Sequence, residues 1–182
     1  LRIIIEKAKE LGIDISNLRR ALLAAEALPA CLRQWFREQG VETVLQWYGT
    51  ADLGCVAYES EAMEGMILEE NVLLEIVRPG TGEPVADGEV GEIVITSFSP
   101  HYPMIRFGTG DLSAVMAGPS PCGRTNVRIR GWLGRADQVT KVRGMFVHPQ
   151  QVAAAIARHP EVRRARLVVS GEMANDRMEL LC

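Results

Sequence analysis

The chain has 182 residues, of which 47% are hydrophobic, and a net charge of −3. This is enough apolar material for one large domain or two small ones. Because the charges are mixed, composition does not indicate a nucleic-acid partner, and the lack of a long apolar run excludes a membrane-spanning helix. The four cysteines are widely spaced, without a C-x-x-C pair, which is typical of reduced thiols in a cytoplasmic protein.

The first third of the chain alternates between helical and strand patterns. Apolar residues at helical spacing predict a helix over residues 1–11, which Gly12 ends. Leu18–Ala25 predicts a short strand, although its leucines and alanines leave a helix possible. Pro29–Gln39 predicts a second helix, and Thr43–Tyr48 a second strand. This order of elements favours an α/β layer.

Strand patterns dominate the middle of the chain. β-type runs occur at Met66–Leu68, Val72–Val77 and Glu92–Thr96, and a stretch rich in glycine, proline and acidic residues separates the last two. A helix is predicted again at Pro149–Arg158, followed by a strand at Ala165–Val169. We therefore predict three units, which comprise residues 1–59, 60–136 and 137–182.

The two ends of the sequence lack the usual marks of chain termini. It begins at Leu1 rather than at a methionine, and a strand pattern continues up to Cys182. We therefore expect the chain to be a piece of a longer protein. No feature of the sequence sets an oligomeric state.

One motif that could carry chemistry is Gln46–Gly54, QWYGTADLG, at the end of a predicted strand. Open α/β sheets place their ligands at the carboxyl ends of strands, beside turns of this kind. Asp52 could therefore hold a divalent cation, and Tyr48 could lie against a flat ring. The simpler alternative is a strand-to-loop turn in which Asp52 caps the local backbone.

A second acidic motif is Arg106–Asp111, RFGTGD. Thr-Gly-Asp predicts that Asp111 lies on a tight turn, where its two oxygens could accept both hydroxyls of a ribose cis-diol. A plain hairpin turn is the alternative, because Gly-Asp between β-type runs is ordinary hairpin chemistry.

A third motif, Gly131–Gly144, lies in a basic stretch. Six basic residues and one acid, Asp137, occur between Arg124 and Arg143, and this local reversal of charge suits phosphates. A solvated strand face with alternating arginines is an alternative. A nucleic-acid patch is a further alternative, but it lacks interleaved aromatic residues beyond Trp132. We predict no nucleic-acid partner.

The order and spacing of the motifs resemble those of the adenylate-forming superfamily of acyl- and aryl-CoA synthetases. Tyr-Gly-x-x-acid at Tyr48 is followed by GEIVIT at Gly91–Thr96, by Arg-x-x-Thr-Gly-Asp, and by Gly-Arg-x-Asp before Lys-Val-Arg-Gly. Cys122-Gly-Arg-Thr and the run KVRGMFVHP at Lys141–Pro149 are similar to the phenylacetate–coenzyme A ligase branch. The resemblance begins at about residue 18 and covers nearly the whole chain.

This resemblance implies an α/β (α+β) fold. The chain would be part of the large N-terminal domain, with the end of its α/β nucleotide-binding subdomain and its β-rich subdomain, followed by the start of a small, mobile C-terminal domain. The implied reaction is an ATP-dependent and Mg²⁺-dependent ligation of a carboxylic acid to coenzyme A through an acyl-adenylate, with phenylacetate as the default acid.

The resemblance also implies roles for individual residues. Asp52 would help hold Mg²⁺, Asp137 would be the hinge of the C-terminal domain, and Gly144 would line the path of coenzyme A. The implied catalytic residues are Asp52, Arg135 and Asp137. The implied nucleotide-binding residues are Ala25, Glu26, Tyr48, Gly49, Thr50, Asp111 and Arg135.

The sequence departs from the family pattern at several positions. Ala51 and Asp52 stand where Thr or Ser and then Glu are usual, and Gln138 replaces the second Asp of the hinge. Some relatives carry a zinc cluster; because its ligands would fall at Ser60, Ile67, Ser120 and Cys122, we predict no zinc.

Two elements of the family lie outside the sequence. The phosphate loop is expected upstream of Leu1 and the catalytic lysine downstream of Cys182, so we expect the fragment alone to be inactive. Two alternatives remain: an adenylating enzyme with an acceptor other than coenzyme A, and a non-catalytic nucleotide-binding homologue, which the change at Ala51 and Asp52 favours.

Overall fold

The computed structural model describes residues 1–26, 28–138, 140–142, 145–147, 149–170 and 177–182. Its first elements are helix α1, strand β1, helix α2 and strand β2, which span Arg2–Glu10, Arg20–Leu23, Ala30–Glu38 and Thr43–Thr50. The predicted order of helix, strand, helix and strand is confirmed. Within the described residues, no helix is long and apolar enough to cross a membrane.

The two helices pack against the strands through a small apolar cluster. Ile5 of α1 and Phe36 of α2 contact Val41 and Val44, and all four side chains are buried. The spacing of the apolar residues in each helix places them on one face, as the sequence predicts. Helix α1 ends at Glu10 with its cap at Leu11, and Gly12 follows with a φ of +64°, which suits glycine.

A six-stranded sheet follows, in the order β1-β2-β3-β4-β9-β8. Strands β1 and β2 are parallel and the other pairs are antiparallel. Because β1 pairs with β2, Leu18–Ala25 contains a strand and not a helix. The added strands β3, β4, β8 and β9 span Gly54–Glu59, Met66–Leu68, Val115–Met116 and Arg128–Ile129.

A separate three-stranded antiparallel sheet consists of β5, β6 and β7, which span Val72–Val77, Gly91–Ser97 and Phe107–Ser113. Ile76, Ile93 and Ile95 join Val56 and Ile129 of the larger sheet in the main core. The prediction of a tight turn at Asp111 is wrong, because Asp111 lies within β7. The local irregularity is a bulge: Thr109–Asp111 lie between the residues paired with Glu92 and Val94 of β6.

The last part of the chain contains two short hairpins and one helix. A 3-10 turn at Ala136–Gln138 leads to β10 and β11, then α3, then β12 and β13. These elements span Thr140–Val142, Met145–Val147, Pro149–Ile156, Arg166–Ser170 and Arg177–Leu181. The predicted helix and strand are confirmed here. The three predicted units stay a prediction, and β3 and β4 pair across the first boundary.

Candidate functional site

A cavity of about 700 Å³ lies between the two sheets and the loop that follows β1. Its volume is in the range of small-molecule sites. Six of the residues predicted to bind nucleotide line this cavity, although up to 110 positions separate them in the sequence. They are Ala25, Glu26, Tyr48, Gly49, Asp111 and Arg135.

The carboxylate of Asp111 is the centre of a polar cluster in this cavity. Its Oδ2 accepts a hydrogen bond from the Tyr48 hydroxyl at 3.0 Å. Its Oδ1 accepts one from Trp132 Nε1 at 2.9 Å and one from Arg135 Nη1 at 3.3 Å. The Asp111 side chain is only 13% exposed. Burial raises the pKa of Tyr48 above its ordinary value, so Tyr48 is a neutral donor.

The bulge in β7 directs Asp111 toward the cluster. Gly110 donates its N–H to Glu92 Oε1 at 3.1 Å, and Thr109 Oγ1 donates to the carbonyl of Ile93 at 2.9 Å. Gly110 has a φ of +71°, and a Cβ there would lie 2.6 Å from Arg135 Nη2. A residue with a side chain would therefore be strained and would crowd Arg135.

Arg135 connects this cluster to the 3-10 turn. Besides its bond to Asp111, its Nη1 donates to the carbonyl of Thr109 at 3.2 Å. Its Nε donates to Asp137 Oδ1 at 3.4 Å. Asp137 itself is 72% exposed and does not line the cavity. Arg135 thus contacts both the predicted hinge residue, Asp137, and the predicted ribose ligand, Asp111.

The other side of the cavity is formed by the loop after β1. Ala25 has a φ of +72°, which is uncommon for a residue other than glycine. Leu28 donates its N–H to Gln46 Oε1 at 2.9 Å, and the Gln46 side chain in turn contacts Glu59. Gly49 is required nearby, because a Cβ there would overlap the carbonyl of Gly54.

Thr50 and Asp52 do not line the cavity. They lie at the hairpin between β2 and β3, where Thr50 Oγ1 accepts the N–H of Leu53 at 3.1 Å and Asp52 is exposed. In the part of the chain that the structure describes, no three His, Cys, Asp or Glu side chains group as a metal site. Mg²⁺ usually takes one or two carboxylates together with substrate phosphates, so Asp52 fits it only as one ligand beside a nucleotide.

Cys122 lies where the zinc ligands of some relatives were expected. Its thiol is 3.1 Å from Ser120 Oγ. Hydrogen bonds from Ser120, from the Arg124 backbone and from Ser60 lower the pKa of Cys122 to about 7. Ile67 is buried in β4. The absence of zinc stays a prediction, and Gly144 lies outside the described residues.

Residues 2–99 match the AMP-binding enzyme family. The chain belongs to this family. It is 35% identical over 171 residues to the phenylacetate–coenzyme A ligase of Thermus thermophilus, which covers 90% of this chain and 38% of that protein. The corresponding enzyme of Escherichia coli is 32% identical over 165 residues, or 87% of this chain and 37% of that protein.

The fold agrees with that of solved coenzyme A ligases. The open conformation of 2-hydroxyisobutyryl-CoA ligase, in complex with 2-HIB-AMP and CoA, matches 97% of this chain and 41% of that chain with a TM-score of 0.82 at 23% identity. The α/β fold class is therefore confirmed, whereas the predicted superfamily and its phenylacetate–coenzyme A ligase branch are confirmed by the AMP-binding match and the two relatives above. The chain spans about two fifths of the length of these relatives.

The sequence did not predict three residues that line this cavity. The sequence assigns no binding role to Trp132, although this residue comes directly before the Leu-Gly-Arg that contains Arg135. Gln46 and Glu59 had no assigned role, and their contact depends on the pairing of β2 with β3. The two residues are 13 positions apart, a separation that carries no sequence signal of its own, so only the structure reveals this pair.

Proposed function

We propose that the whole protein is an ATP-dependent carboxylate–coenzyme A ligase, and that this chain supplies the adenosine part of its nucleotide site. The observation that carries the proposal is the Asp111 carboxylate, which lies on the wall of the cavity beside an aromatic residue and an arginine. Once Arg135 moves to the nucleotide, the Asp111 carboxylate keeps two of its three donors, and its two free acceptor positions suit the two hydroxyls of ribose. The family and the phenylacetate–coenzyme A ligase relatives support the same conclusion.

In this proposal each predicted residue has a part in holding the nucleotide. Asp111 accepts the ribose hydroxyls. Tyr48, Ala25 and Glu26 border the adenine, while Gly49 and Thr50 approach the phosphates. Arg135 moves from its contact with Thr109 toward the nucleotide; its fork of N–H donors suits phosphate or ribose oxygens.

The reaction then has two steps. An oxygen of the carboxylic acid attacks the α-phosphorus of ATP and pyrophosphate leaves, which gives an acyl-adenylate. The thiolate of coenzyme A attacks the acyl carbon and AMP leaves, which gives the thioester. Both steps depend mainly on positioning and on neutralising charge, to which Arg135 contributes. Mg²⁺, bound with the phosphates beside Asp52, would neutralise charge in the first step.

The second step requires a change of conformation in this proposal. Asp137 is the hinge, and Gly144 lines the path along which coenzyme A arrives. One site can serve two reactions when a small domain rotates between them. We further propose a cytoplasmic location, which the four unpaired cysteines support.

The proposed acid is an aryl acid such as phenylacetate, because the named relatives are phenylacetate–coenzyme A ligases. A second candidate is a non-catalytic nucleotide-binding homologue. It is favoured by Ala51 and Asp52 at the hairpin, because the usual hydroxyl is missing and Asp52 does not line the cavity.

The decisive experiment is an assay of pyrophosphate release by the whole protein with a panel of aryl and alkyl acids, with and without coenzyme A. A coenzyme A ligase should release pyrophosphate with its acid and form a thioester only when coenzyme A is present. Pyrophosphate release without any thioester would instead indicate another acceptor. Nucleotide binding with no pyrophosphate release for any acid would support the non-catalytic homologue.

A further inference from the structure

A partly buried chain of polar contacts joins helix α2 to the loop that borders the cavity. Arg33 Nη2 donates to both oxygens of Glu59, at 2.8 and 3.0 Å. Glu59 Oε2 accepts the backbone N–H of Gln46 at 2.8 Å, and its Oε1 accepts Gln46 Nε2 at 3.3 Å. Gln46 Oε1 accepts the N–H of Leu28 at 2.9 Å. The chain of contacts thus runs from α2 through β3 and β2 to the loop.

Glu59 fixes the orientation of the Gln46 amide. Two carboxylate oxygens offer about four acceptor positions, and the four contacts to Arg33 and Gln46 use all of them. The side chains of Arg33 and Glu59 are 14% and 9% exposed, so water is a poor substitute for either partner. With its NH₂ group held by Glu59, Gln46 must present its oxygen to Leu28.

The loop needs this link because its backbone conformation is costly. Ala25 has a φ of +72°, and a residue other than glycine in this region is stable only when its surroundings hold it there. The loop leaves β1 after Leu23 and reaches α2 at Ala30. The bond from Leu28 to Gln46 ties the loop to β2 two residues before α2 begins.

We propose that Glu59 is a positioning residue for the base of the nucleotide. It acts through Gln46, because the contacts above leave its carboxylate no acceptor position for a ligand. Gln46 then sets the position of Ala25, Glu26 and Leu28, which line the same cavity as Asp111. The inference rests on the proposed nucleotide site and adds the contacts that hold in place the part of this site that binds the base.

A comparison of two ligands isolates the contribution of the base to the affinity of the nucleotide. AMP and ribose 5-phosphate share the sugar and the phosphate and differ in the adenine alone. We would measure the affinity of each by calorimetry for the wild-type whole protein and for its Glu59→Gln variant. A glutamine has one acceptor oxygen and an NH₂ group that would face the donors of Arg33 and Gln46. We expect the affinity for AMP to fall about tenfold, while that for ribose 5-phosphate changes less than about twofold.

A second variant and a matched control complete the test. Gln46→Met keeps a side chain of similar length without the amide, leaves Glu59 in place, and should reproduce the selective loss of AMP affinity even if Glu59→Gln does not fold. Glu75→Gln breaks another carboxylate–arginine pair, the one that Glu75 forms with Arg106 at 3.0 Å, and Glu75 does not line the cavity. It should leave the ratio of the two affinities at its wild-type value.

Failure of the positioning role and failure of the proposed nucleotide site would give different results. If both Glu59→Gln and Gln46→Met keep the wild-type ratio of AMP to ribose 5-phosphate affinity, the positioning role is wrong. An equal loss for both ligands would also overturn it, because it would indicate a general structural effect. If the wild-type whole protein binds neither ligand, the proposed nucleotide site itself is wrong and the inference falls with it.

Discussion

Asp111 lies 63 residues after Tyr48 and 21 residues before Trp132, yet its carboxylate accepts hydrogen bonds from both. In Asp111→Ala the Tyr48 hydroxyl loses its partner in a buried position, whereas the indole can turn to water. We expect the free energy of unfolding to fall by about 1–2 kcal/mol. We expect AMP binding to weaken by about 2–3 kcal/mol, because two hydrogen bonds to a charged acceptor are lost.

Chemical denaturation and calorimetric titration with AMP would measure the two effects of Asp111→Ala separately. Tyr48→Phe is the control, because it removes the donor and leaves the carboxylate free. It should cost similar stability and much less AMP affinity. Unchanged AMP affinity in Asp111→Ala would show that this carboxylate does not bind the ribose.

Cys122 should react faster with alkylating agents than Cys55 at neutral pH. Its pKa is lowered to about 7, whereas burial raises the pKa of Cys55. Because the thiolate is the nucleophile, its rate with iodoacetamide should rise between about pH 6 and pH 8 and then level off. Ser120→Ala removes the largest cause of the shift, so the rise should move to higher pH. Mass spectrometry of the modified peptides would follow each rate, and identical profiles for wild type and Ser120→Ala would contradict the assignment.

At the residue scale, the sequence predicts side chains that belong to a continuous motif. Tyr48, Asp111 and Arg135 are each part of such a run, and all three line the cavity. Glu59 and Gln46 are not, because their contact arises when β3 folds back on β2. Ala25 was assigned through the resemblance, but its positive φ depends on the loop as a whole.

At the scale of single elements, strand β7 shows why a local pattern can indicate a residue that lines the cavity and still predict the wrong local structure. Thr109-Gly110-Asp111 has the composition of a hairpin turn, and Gly110 does have a positive φ. The segment becomes a bulge because Glu92 and Ile93 of β6 accept hydrogen bonds from Gly110 and Thr109. These partners lie 16 to 18 residues away, beyond the reach of turn signals.

The bulge predicts a difference between two glycine variants. Gly110→Ala and Gly88→Ala each place a side chain at a positive φ, +71° and +83°, but only the first meets an obstacle, Arg135 Nη2 at 2.6 Å. Gly88→Ala should lower the free energy of unfolding by about 1 kcal/mol, and Gly110→Ala by about 2–3 kcal/mol. Urea denaturation would measure both. Equal losses would indicate that Arg135 moves aside without cost.

At the scale of the whole molecule, the boundaries between the three units stay a prediction, and the strand pairing bears differently on each of them. A change from helical to strand patterns suggests a boundary after Glu59, but β3 pairs with β4 across it. Register between strands depends on contacts far apart in the chain, and composition does not record them. The second boundary differs, because a single 3-10 turn, Ala136–Gln138, leads from the residues that contact Asp111 to a separate hairpin.

This turn gives a prediction for the whole protein. Asp137→Pro fixes φ and removes a backbone donor at the proposed pivot. A hinge must absorb large changes of φ and ψ, so rotation should be hindered while the nucleotide site keeps Tyr48 and Asp111. Pyrophosphate exchange should be largely retained and thioester formation lost. Both activities would be measured in the whole protein, together with its thermal unfolding.

The control for this experiment is Asp137→Ala. It removes the contact with Arg135 Nε at 3.4 Å but leaves the backbone free to rotate. Because this ion pair is largely exposed, its loss should change stability by less than about 1 kcal/mol. Asp137→Ala should therefore keep both half-reactions, which separates the effect of the backbone from that of the charge. If Asp137→Pro loses both half-reactions equally at unchanged thermal stability, Asp137 is not the pivot; if it loses neither, the chain does not turn at this residue.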